Sequence, residues 1–143
     1  MSLAHRAALL ATVSLTVGSH VVAAQTAAAW RRLGWSTFEE VTGKRDSVEV
    51  FMRQMAGNVY VRRSSYRTDR IGNDGAKWRN AYMFATIDCG QRTMTLLRNE
   101  YYASDSALVD ALPLNSPPIS AERIGLSDGL RDFYNAACGI AKP

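Results

Sequence analysis

The sequence predicts an α+β fold: an antiparallel sheet of about five or six strands with one C-terminal helix packed on one face. Three observations predict it. The segment from Tyr82 to Tyr102 alternates apolar and polar residues on both sides of Gly90-Gln91, the pattern of a hairpin. The last twenty or so residues switch to helical spacing, with Leu126, Leu130, Phe133 and Ala137 on one stripe. Cys89 and Cys138 are the only two cysteines, and a bond between them ties that helix to the hairpin.

The N-terminus comes first and is set apart from the domain. Met1–Arg6 carries a positive charge, Ala7–Val17 is uncharged and apolar, and Val22-Ala23-Ala24 supplies small residues where a signal peptidase reads. The apolar run is too short for the roughly 30 Å of a bilayer's hydrocarbon. Residues 1–24 are therefore expected to be a cleaved export signal, and 25–143 a single domain located in the periplasm, at the cell surface or outside the cell. No cysteine stands at the cleavage point to take a lipid anchor. Export puts the two cysteines in an oxidising compartment, where one intrachain disulfide is the expected outcome. No C-x-x-C spacing favours a redox or metal-binding pair.

Export also removes His5 and His20, the only histidines. A chain without histidine has no Ser-His-Asp or Cys-His chemistry and lacks the commonest metal ligand. The expectation is a protein that is not an enzyme and holds no cofactor or metal. A hydrolase built on Asp88 and Glu100 is the disfavoured alternative, because Asp88 beside a turn has backbone N–H groups to accept from.

The strands follow in order. Trp30–Trp35 is a short first strand whose tryptophans anchor on the sheet, and polar Thr37–Arg45 leads to the next. Ser47–Gln54 alternates in strand fashion, Ala56-Gly57-Asn58 turns, and Asn58–Tyr66 returns. Thr68–Lys77 reads as a loop with Asn73-Asp74-Gly75 at its tip, and it lacks the register of a calcium loop. Trp78–Cys89 is the longest strand. Gly90-Gln91 is expected to form a two-residue turn with glycine at positive φ, placing Asp88 opposite Thr93 and Ile87 opposite Met94. On that register Met83, Ala85, Ile87, Met94, Leu96 and Arg98 share one face. Ala107–Leu114 adds an edge strand stopped by Pro117-Pro118. Ser120 is the expected helix cap, with Ile119 and Ile124 as a staple, and Gly125 and Gly129 weaken the first turns so that a firm helix starts near Ser127-Asp128. Gly139 closes it.

This order of features resembles the bacterial surface-adhesin E family. The resemblance rests on Trp30, on Val59-Tyr60-Val61-Arg62 leading to Tyr66, and on Gly75 followed by Trp78. It continues through Ile87-Asp88-Cys89, Arg92-Thr93, Tyr101-Tyr102 and the amphipathic segment ending at Cys138. It departs from the family at Phe51-Met52-Arg53-Gln54, where an aspartate usually ends the strand. The resemblance implies an exported sheet-plus-helix domain and no catalytic set, with binding of host matrix proteins as the role of named members.

Charge supplies a separate expectation about partners. The chain is formally +4, or +3 without Arg6, and its basic residues concentrate between Arg53 and Arg79. Arg62, Arg63, Arg67 and Arg70, interleaved with Tyr66 and Trp78, form the candidate ligand-binding face. Such a surface suits an acidic protein patch, a sulfated glycan or anionic headgroups; nucleic acid is not expected outside the cell. The plain alternative is a solvated strand face whose arginine stems cover apolar neighbours. Two functions follow: a non-enzymatic envelope binding protein of adhesin type, or a structural or accessory subunit of an envelope assembly. Pairing of two copies through a sheet edge is the expected route to a dimer.

Overall fold

The computed structural model describes residues 28–40 and 43–141. Residues 1–24, expected to be an export signal and containing His5 and His20, lie outside the described residues. Seven strands make one antiparallel sheet: β1 (Arg31–Glu39), β2 (Arg45–Ala56), β3 (Val59–Ile71), β4 (Lys77–Asp88), β5 (Thr93–Tyr102), β6 (Leu108–Pro113) and β7 (Ile119–Ser120). The first six pair in sequence order as a meander, and β7 pairs with the Thr93–Met94 end of β5. Two helices follow, α1 (Ala121–Ile124) and α2 (Asp128–Ala137). Sequence-adjacent pairing needs only short connections, which is why turn residues separate nearly every pair of strands.

The core lies between the helices and one face of the sheet. Met52, Ala85, Ile87 and Met94 pack against Ile124, Phe133 and Tyr134, with Phe133 wholly buried. Leu130 and Ala137 join from the same side of α2. Leu126, expected on that stripe, is instead 88% exposed. The helix is broken between α1 and α2 at Gly125–Ser127, so Leu126 is out of phase with both pieces. Ser120 stands at the N-cap of α1 but its side chain makes no capping hydrogen bond. At the other end Gly139 adopts φ +66° and Ile140 N–H donates to the Asn135 carbonyl at 2.8 Å, a Schellman closure.

Cys138 then meets Cys89 in the expected disulfide, with Cα atoms 5.6 Å apart and a sequence separation of 49. Closing a loop of that size stabilises the fold by about 4 kcal/mol in the chain-entropy treatment. No helix among the described residues is long and apolar enough to cross a membrane.

Two local expectations at the β4–β5 hairpin are corrected. Pairing runs as anticipated from Asp88↔Thr93 to Ala85↔Leu96, but the connection spans Cys89 to Arg92, and Arg92 rather than Gly90 takes positive φ, at 56°. Asp88 is the cause: its Oδ1 accepts the Gln91 N–H at 2.8 Å and tightens a longer loop. The two-residue glycine turn occurs instead at Gly57-Asn58, where Ala56 pairs with Val59 and Gly57 has φ +56°. Farther along β5 a bulge at Leu97 shifts the register, so Phe84 faces Arg98. The Leu97 carbonyl accepts N–H groups from Leu114 and Asn115, at 2.9 and 3.2 Å, as the chain leaves β6. Arg98 therefore moves to the face opposite the helices.

Candidate functional site

Strand alternation divides the expected basic face between two surfaces. On β3, Arg62 pairs with Met52 and Met83, while its neighbour Arg63 pairs with Phe51 and Tyr82. Met52 and Met83 belong to the helix side; Phe51 and Tyr82 belong to the outer side. Arg62 is thus half-buried beside the start of α2, with its Nη2 only 3.4 Å from where a Cβ on Gly129 would stand. Burial lowers its pKa from the ordinary arginine value, partly countered by Tyr66 and Asp132. Arg67 is fully exposed on the far end of β3.

Arg70, Tyr66 and Trp78 do come together. They lie where the helix-side face extends beyond the helices, in a row of rings from four strands: Phe38, Tyr66, Trp78 and Tyr101. Successive ring centroids are 6.1, 5.5 and 4.9 Å apart, mostly edge to face. The Arg70 guanidinium sits 5.2 Å from the Tyr66 ring and 5.5 Å from Phe38. It is ion-paired to Glu40 and lies 3.8 Å from Asp46. Asp46 is 3% exposed. Burial acts to raise its pKa, but a 2.7 Å hydrogen bond from the Thr68 hydroxyl, backbone N–H groups of Ser47 and Thr68, and Arg70 outweigh it; the net shift is downward. Arg70 is therefore an internally satisfied cation.

The outer face holds an arrangement that the sequence reading missed. Trp30, one residue before β1, carries two guanidiniums over its ring, those of Arg53 and Arg63, each 4.6 Å from its centroid. Arg63 also stacks on Phe51 at 4.5 Å, and Arg98 on Phe84 at 3.7 Å. Trp30 reaches Tyr82 edge-on at 6.0 Å, and Tyr82 reaches Tyr102 at 5.0 Å. On this face Val61, paired in register with Arg53 and Phe84, is 1% exposed although no helix among the described residues packs on that side. The arginine stems and rings take the helix's part in excluding water.

Charge balance on this face is uneven. Arg98 donates its Nε–H to Glu100 at 2.7 Å, and the Tyr102 hydroxyl donates to the same carboxylate at 2.8 Å. Burial would raise the Glu100 pKa, yet those two donors bring it below the ordinary value, and the Tyr102 hydroxyl is pushed up by the carboxylate it serves. Arg53 and Arg63 have no carboxylate within ion-pairing distance among the described residues. Their Nε atoms are buried without an acceptor, while each residue as a whole is half-buried. Two like charges are held against one ring with no ion-pair partner among the described residues. The signal in the sequence was the two-residue period, which separates Arg62 from Arg63; what it lacked was the β1–β2 register that brings Trp30 over Arg53.

Searches against family models, curated proteins and solved structures return no match to this chain.

Proposed function

We propose that this chain is an exported, non-enzymatic binding domain of the bacterial envelope that engages an acidic macromolecule through its outer sheet face. The carrying observation is that Arg53 and Arg63 both stand over the Trp30 ring with no carboxylate partner among the described residues. A stacked guanidinium has lost its rotamer freedom before a partner arrives, and its outward N–H groups match carboxylate or sulfate oxygens bidentately. Cation–π contact contributes roughly 0.5–2 kcal/mol per pair to holding that geometry. Arg98 extends the same surface toward β5. The Cys89–Cys138 disulfide supports the exported location, since such bonds persist in oxidising compartments. The sequence features shared with the surface-adhesin E family fit the same adhesin-like role.

The test is retention of the mature chain on immobilised heparin and on immobilised polyglutamate across a salt gradient. The double variant Arg53→Ser, Arg63→Ser is expected to elute at much lower salt than the native chain, with a shallower salt dependence. Arg67→Ser serves as a control for general charge. Equal retention of the double variant and native protein on both matrices would overturn the proposal.

A second reading, an accessory subunit of an envelope assembly, is favoured by one observation. Ile71, Leu108, Leu112 and Leu114 are exposed at and beside the outer edge strand β6. That reading predicts a fixed partner whose binding is insensitive to Arg53 and Arg63 and lost with Leu108→Asp plus Leu112→Asp.

A further inference from the structure

The row of rings on the open end of the helix-side face has two halves built from the same parts. In the first half, Phe38 and Tyr66 flank Arg70, and Glu40 and Asp46 balance its charge. In the second half, Trp78 and Tyr101 stand 4.9 Å apart with planes tilted by 58° and wall a cavity of about 380 Å³. Two carboxylates line it, Asp74 and Asp110, and no lysine or arginine does. Each carboxylate spends one oxygen on the main chain: Asp74 Oδ1 accepts the Ala76 N–H at 3.0 Å and Asp110 Oδ1 accepts the Ala111 N–H at 2.8 Å. Among the described residues the other oxygen of each has no partner. No guanidinium stacks on Trp78 or Tyr101 among the described residues.

We infer that this cavity is a receptor site for an arginine side chain presented by a partner polypeptide. Two rings and two carboxylates already surround a guanidinium in the neighbouring half, and only the cation is missing here. Two carboxylates without a counter-charge repel anions on a chain that is otherwise basic. A quaternary ammonium would suit the rings but has no N–H to give the carboxylates, whereas a guanidinium donates in its plane while its face lies on the indole. Ile71 and Leu112 on the cavity wall match the methylene stem of such a side chain. The inference does not rest on the outer-face reading: it concerns the opposite face and the opposite sign of charge.

The probe is the peptide acetyl-Gly-Arg-Gly-amide, titrated into the mature chain and followed by the indole N–H resonance of Trp78, assigned with Trp78→Phe. A saturable shift with a dissociation constant on the order of millimolar is expected for one stacked, charge-paired side chain. The same peptide with citrulline in place of arginine should leave the resonance unmoved. The variant Asp74→Asn, Asp110→Asn keeps an oxygen for each main-chain N–H, so its near-ultraviolet circular dichroism should be native while binding weakens about tenfold or more. Arg53→Ser, Arg63→Ser should bind the peptide as the native chain does. No saturable shift, equal binding of the citrulline peptide, or native-strength binding by the folded double asparagine variant would each overturn the inference. Choline binding more tightly than the arginine peptide would overturn it too.

Discussion

The two faces of this sheet exclude water by different means. On one, hydrocarbon meets hydrocarbon: Phe133, Ile124 and Met94 interlock under two helices, and a disulfide fixes the cover in place. On the other, Val61 is almost as well hidden, yet its neighbours in register are Arg53 and Phe84, on a face where Arg53 and Arg63 stand over Trp30 and Arg98 over Phe84. A hydrocarbon lid is sealed and offers a partner nothing. A surface of stacked cations keeps charge at its exterior while the arginine stems lie over apolar neighbours. Under the proposed function, burial and binding are combined on the outer side and separated on the helix side.

The largest way to break this contrast is to remove the covalent tie. Cys89→Ser with Cys138→Ser is expected to lower stability by about 4 kcal/mol, read as a shifted denaturant midpoint with little change in the salt at which the folded fraction leaves heparin. A parallel loss of heparin retention would mean that the two covers are not independent. The outer cover is the weaker of the two. Trp30→Ala should cost roughly 2 kcal/mol from lost apolar contact and two cation–π pairs, and it should reduce heparin retention at the same time. A stability loss with unchanged retention would separate the ring's packing role from its role in presenting arginines. The smallest effect is acid sensitivity. The folded pKa of Asp46 lies below its ordinary value of 3.8, so its contribution is complete above that value and disappears as pH falls through the lower folded value. Urea unfolding at neutral pH and near pH 3 should show a smaller acid loss for Asp46→Asn than for the native chain. An equal loss would assign acid lability elsewhere, with Glu100 on the outer face the next group to examine.

Much of the fold is written in short-range pattern. Strands β1 to β6 in outline, the turn at Gly57-Asn58, four pairs of the β4–β5 register and the cysteine partnership follow from alternation, glycine placement and count. Residues 68–71, read as loop, instead continue β3, and Ile119-Ser120, read as the start of the helix, pairs as β7. What escaped depends on groups distant in sequence. The bulge at Leu97 exists because residues 114 and 115 return to use its carbonyl, and no window around Leu97 contains that information. The loop after Asp88 lengthened because a carboxylate found a nearby N–H, a competition that glycine propensity does not register. The basic patch was legible in composition, and strand geometry divides it between two faces. Arg62 and Arg63 are neighbours in the chain and therefore back to back in a strand. Trp30, assigned only an anchoring role, is the ring on which Arg53 and Arg63 meet.

The order of the strands also sets how the molecule answers force. The span closed by the Cys89–Cys138 bond includes β5, β6, β7 and both helices, while β1, β2 and β3 lie wholly outside it. A pull on the amino end detaches one strand after another, each rupture sparing the next, and the Arg53–Trp30–Arg63 surface is the first to come apart. A pull on the carboxyl end is stopped at the sulfur bridge and passes its load to the end of β4. An adhesive contact on the outer face would thus yield early under tension, while the clamped half survives to let the peeled strands zip back.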